Sequence, residues 1–150
     1  MRTQVSASGC AGLRSTRRAR ALAVAGAVAA ALAVWAVGDP LLGHDLVVQQ
    51  MGQEPRDLGA AAIGVFALIP SLLGWALLAA LERVTPLAAR IWTAAALALL
   101  AMSFLPVIGV QAAGGSKAVL ALTHVAVGAV LIPVFHRTAR ARRADARSGQ

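Results

Sequence analysis

His124 is the ionisable side chain that the sequence places deep inside an apolar stretch, and three hydroxyl-bearing residues sit at comparable positions in the neighbouring stretches. Ser71 follows Pro70, Ser103 precedes Pro106 by three positions, and Thr123 is next to His124. A hydroxyl and an imidazole at one depth suggest proton or substrate handling, because buried ionisable groups in a membrane are costly and are functional candidates by default. The alternatives are a neutral imidazole hydrogen-bonded to Ser103, Ser71 or a backbone carbonyl, and metal ligation. Metal ligation has the least support, since no second His, Cys or carboxylate sits at that depth. On a helix, Ala121 and Gly128 share a face with His124 at i−3 and i+4. Small residues of this kind mark helix–helix contacts in membranes, so His124 is expected to point into a bundle.

The elements that would hold these residues are four apolar stretches, Ala21–Val37, Ala60–Leu81, Ile91–Val110 and Ala118–Phe135. A helix needs about 20 apolar residues to cross the hydrocarbon core. The chain is 59% hydrophobic and 13% charged, and its four spans leave no room for a separate soluble domain. The expected fold class is all-α, a four-transmembrane-helix bundle with helices at about 21–37, 60–81, 91–110 and 118–135 and an outer loop at 38–58. Segments 1–20 and 136–150 are expected to be disordered basic tails, because they are polar and lack apolar periodicity.

Charge sets the orientation. Five Lys or Arg residues precede the first stretch, one lies between the first and second, two between the second and third, one before the fourth and five after it. Alternate compartments therefore hold 12 and 2, which places both termini in the cytoplasm. Trp35, Trp75 and Trp92 fall near span ends, where interfacial aromatic belts form. The net charge of +8 does not indicate nucleic acid, because no aromatic residues are interleaved with the arginines for base stacking. Topology and attraction to anionic lipid account for it.

Ser15-Thr16-Arg17-Arg18 ahead of an Ala-rich run looks like a twin-arginine signal, with Ala31-Leu32-Ala33 as a cleavage site. The run of 17 residues from Ala21 to Val37 is longer than a signal core of about 7–15, so the first helix is expected to remain uncleaved. A single cysteine, Cys10, excludes an intramolecular disulfide and the paired-thiol enzymes. No G-x-S-x-G surrounds Ser71 or Ser103, as an intramembrane serine protease would suggest. The first helix has no acid, unlike small multidrug exchangers. Asp39, His44, Asp45, Glu54 and Asp57 of the outer loop match no calcium or zinc spacing.

Four segments carry a family resemblance: Leu41–Leu46, Gly74–Arg83, Ser103–Pro106 and Leu122–Pro133. Through them the chain, over roughly Arg18 to Arg137, resembles a domain-of-unknown-function family of small, uncharacterised four-helix bacterial membrane proteins. The resemblance implies four transmembrane helices and brings no assigned activity. The expected function is a non-enzymatic component of the bacterial plasma membrane, without cofactor, that packs in the lipid bilayer against itself or another membrane protein. The alternative is a small oligomeric carrier or conduit using His124. The prolines at 70, 106 and 133 free the carbonyls of Phe66, Met102 and Ala129, which Ser71 and Ser103 are expected to help satisfy.

Overall fold

Apolar runs longer than about 18 residues satisfy their backbone groups in lipid only by becoming helical. The computed structural model describes residues 4–38, 47–48, 56–57, 59–109 and 114–148. The described residues form four helices: α1 (Gln4–Ala36), α2 (Ala60–Val84), α3 (Ala88–Gly109) and α4 (Gly114–Ser148). All four are long and apolar enough to cross a membrane. The outer-loop acids Asp39, Asp45 and Glu54, together with His44, lie outside the described residues. A two-residue antiparallel ladder pairs β1 (Val47–Val48) with β2 (Arg56–Asp57), in the register Val47↔Asp57 and Val48↔Arg56.

The basic segments expected to be disordered continue the helices instead, over residues 4–20 and 136–148. Two physical reasons apply. Ala and Arg are strong helix formers, and adding residues to an existing helix avoids the nucleation cost. In addition, Arg20, Thr138 and Arg142 are tied together across the bundle, as described below. The turn between α2 and α3 is correspondingly short. Thr85 N–H donates to the Leu81 carbonyl to close α2, and Arg90 falls within the first turn of α3.

Helix α1 packs most extensively on α4 and then on α2, while α3 packs on α4 and more thinly on α2. The α1 contact is built from alanine. Ala23, Ala27 and Ala31 recur every four residues and are 5%, 0% and 0% exposed. Such a smooth stripe lets backbones approach closely, where dispersion contacts replace the hydrophobic effect that lipid cannot supply. At the far end, Gly38 lies so near Val119 that a Cβ there would overlap the valine side chain. One core cluster joins Val24, Ala27, Leu78, Trp92, Leu131 and Phe135. A second joins Ala31, Ile63 and Ala67, with Trp35 against it. Outward faces remain apolar: Phe66, Leu73, Leu99 and Leu105 are each 65% exposed. In water such surface would drive aggregation, whereas in a bilayer it is the face presented to lipid.

Candidate functional site

The thin α2–α3 seam leaves a cavity of about 510 Å³ between α2, α3 and α4. Ser71 from α2, Ser103 from α3, and Thr123 and His124 from α4 all line it. The four polar residues singled out from the sequence thus line one cavity. The rest of the lining is apolar, including Ile63, Leu100, Val127 and Leu131. This volume is in the range of small-molecule sites, about 300–1,000 Å³. Gly128 keeps the α3–α4 wall close, since a Cβ there would stand 3.1 Å from the Leu100 side chain.

None of the four bonds to another of the four. Each hydroxyl donates to a carbonyl of its own helix: Ser71 to Ala67 at 2.6 Å, Ser103 to Leu100 at 2.6 Å and Thr123 to Val119 at 2.8 Å. The expectation that Ser71 and Ser103 satisfy the proline-freed carbonyls of Phe66 and Met102 is therefore corrected. A serine hydroxyl reaches back three or four residues on its own helix, and those positions are Ala67 and Leu100. His124 Nδ1 lies 2.7 Å from the Leu120 carbonyl. A carbonyl can only accept, so Nδ1 carries a proton, and in the neutral imidazole Nε2 keeps the lone pair. The Phe104 ring sits beside the imidazole, 6.3 Å between centroids. The acceptors the cavity can present are therefore the Ser103 and Thr123 hydroxyl oxygens, whose protons are engaged, and one imidazole nitrogen, while Ser71 is 1% exposed. Hydroxyl and imidazole form no nucleophile–base pair.

Toward the basic end the cavity is floored by aromatics. Trp92 Nε1 donates to the Gly74 carbonyl at 2.7 Å, joining α3 to α2. Its ring meets Phe135 of α4 at 5.1 Å between centroids. Trp92 is 4% exposed, so it is a core residue rather than the interfacial belt residue its position near a span end suggests. Beneath it, the Thr93 hydroxyl donates to Ala89 and accepts from His136 Nδ1 at 2.9 Å. Among the described residues no three His, Cys, Asp or Glu side chains converge as a metal site.

Sequence reasoning missed an ionic cluster below this floor. Glu82, at the end of α2, receives Arg20 of α1 at 2.5 and 3.1 Å and Arg142 of α4 at 2.6 Å. Arg20 Nε also donates to Thr138 Oγ1 at 3.0 Å. Arg20 is 2% exposed, although the sequence reads it as the last residue of a disordered tail. The signal available was Glu82 itself, the acid of the short basic connection between the second and third spans.

Four apolar helices, an apolar exterior and a largely apolar cavity carrying a few polar side chains define a multi-pass membrane protein. The chain belongs to a family of unknown function, DUF6069, which matches residues 11–141. No curated protein and no solved structure matches the chain.

Proposed function

We propose that this protein is a non-enzymatic component of a bacterial plasma membrane, with both termini in the cytoplasm, whose intramembrane cavity receives an apolar molecule bearing a hydroxyl or N–H group. The observation that carries this reading is the polar inventory of the cavity. Its hydroxyl protons are already donated to helix carbonyls, and His124 Nε2 offers a lone pair. A ligand with a donor satisfies these acceptors, whereas one with only acceptors leaves them unpaired at a cost. Access from the lipid is supported by Phe66 and Leu99, which line the cavity and are each 65% exposed.

The test uses a C15 isoprenoid alcohol and its methyl ether, titrated onto the full chain in detergent and followed by tryptophan fluorescence. The alcohol should bind about three- to tenfold more tightly than the ether, the worth of one hydrogen bond. His124→Phe should erase that preference, and the alcohol should be recovered chemically unchanged. Equal binding of alcohol and ether would remove the basis of the reading.

The alternative conduit reading has one observation in its favour. A second cavity, of about 860 Å³, opens below the Trp92–Phe135 layer and is lined by residues of α2, α3 and α4. A conduit through both cavities would show pH-dependent flux in liposomes that His124→Phe abolishes. Association with a partner is a further part of the subunit reading. Ala23, Ala27 and Ala31 are already buried within the chain, so an interface must use other faces. Native mass spectrometry of gently purified protein separates a homo-oligomer from a complex with a second protein.

A further inference from the structure

The second cavity lies where the end of α2, the α2–α3 turn and the C-terminal part of α4 meet. Six arginines line it: Arg83, Arg90, Arg140, Arg142, Arg143 and Arg147. Glu82 is the carboxylate among its lining residues, and it is already held by Arg20 and Arg142. Asp145 is the acid on this part of α4 and is not among the lining residues. The concave surface therefore keeps a large excess of positive charge. The first turn of α3 adds to it: Ala88, Ala89 and Arg90 line the cavity, and the N–H groups of a helix start carry partial positive charge. Guanidinium groups match phosphate oxygens in paired hydrogen bonds. At the mouth are apolar side chains with no reason to face water: Val84 is 84% exposed and Leu87 is 44% exposed, and both line the cavity.

A basic hollow bordered by bare apolar residues at the rim of a membrane bundle fits a molecule with a phosphodiester at one end and hydrocarbon at the other. We propose that this cavity binds the headgroup of an anionic phospholipid, with the phosphodiester among Arg83, Arg90, Arg140 and Arg143 and the acyl chains passing Val84 and Leu87. The site is separate from the cavity above Trp92 and does not depend on what that cavity binds. Diffuse attraction of arginines to a charged surface is a different thing, because it does not distinguish arginines inside the hollow from those beside it.

The experiment is a lipid titration of the delipidated full chain, read by native mass spectrometry. The probes are phosphatidylglycerol, cardiolipin and phosphatidylcholine, with soluble glycerol phosphate and inorganic phosphate as separate arms. The wild-type chain should retain phosphatidylglycerol or cardiolipin at least tenfold better than phosphatidylcholine, and should retain neither soluble phosphate at comparable concentration. Arg90→Gln and Arg143→Gln should each weaken anionic-lipid retention about fivefold, the effect of one basic residue near the surface. Arg14→Gln and Arg17→Gln, on α1 and outside the lining, should leave it unchanged. Equal losses from the α1 substitutions would overturn the site in favour of diffuse attraction. Tight binding of the soluble phosphates would overturn the lipid assignment. The wild-type comparison among lipids needs no variant, so poor folding of a substituted chain does not protect the proposal.

Discussion

His124 and Glu82 are both polar groups in apolar surroundings, yet they solve burial differently. His124 uses one proton and one carbonyl on its own helix. A bond of this kind inside a membrane is worth only about 0.6 kcal/mol on average. His124→Phe should therefore accumulate to wild-type levels and melt within a few degrees of the wild type in detergent, while losing the preference for a donor-bearing ligand. Glu82 is shared between two guanidiniums on two other helices, and Arg20 is almost completely buried. Removing one partner of a buried ion pair leaves an uncompensated charge and costs about 3–5 kcal/mol. Glu82→Gln and Arg20→Gln should both strongly lower the unfolding midpoint in a denaturant titration. Arg142→Gln should have a much smaller effect, because its side chain is 39% exposed and solvent screens its loss.

At the level of the helix, α1 shows how weak hydrophobicity becomes useful. Alanine gains little from lipid contact, but its stripe lets α1 sit close against α4 and α2. Placing a larger side chain in that seam forces helices apart, at a typical cost of about 1–3 kcal/mol. Ala27→Leu should reduce thermal stability in detergent accordingly. Ala29→Leu, on the exposed side of the same helix, should be neutral. The α1 seam was legible in advance as a run of small residues, whereas its rotation was not. Arg20 is a further case: its position at the head of an Ala-rich run marks a helix entry, but nothing local shows that it turns inward to Glu82.

For the whole molecule, the charge count argues for an orientation, and the Trp92–Phe135 contact floors the first cavity. Both termini should face the cytoplasm. An Arg147→Cys chain in a Cys10→Ser background should react with a membrane-impermeant maleimide in inverted vesicles and stay unlabelled in right-side-out ones. Labelling from the opposite side would overturn the assigned orientation. The number of spans was readable from sequence because hydrophobicity sums along the chain, residue by residue. The positions of Ser71, Ser103, Thr123 and His124 along their apolar stretches were readable for the same reason. Their meeting around one cavity depended on helix rotation.

The sequence by itself determined that this chain has four stretches long and apolar enough to cross a membrane, where the polar residues fall along them, and how Lys and Arg are distributed between them. Those are local properties, additive along the polymer. Tertiary structure decided which faces meet. It placed Trp92 in the core, joined Arg20 to Glu82 and Arg142, left a cavity at the α2–α3 seam, and gathered arginines from two segments into one hollow. A helix that is apolar on every side carries no mark of its inner face. Only packing, through small residues and a few paired polar groups, chooses that face.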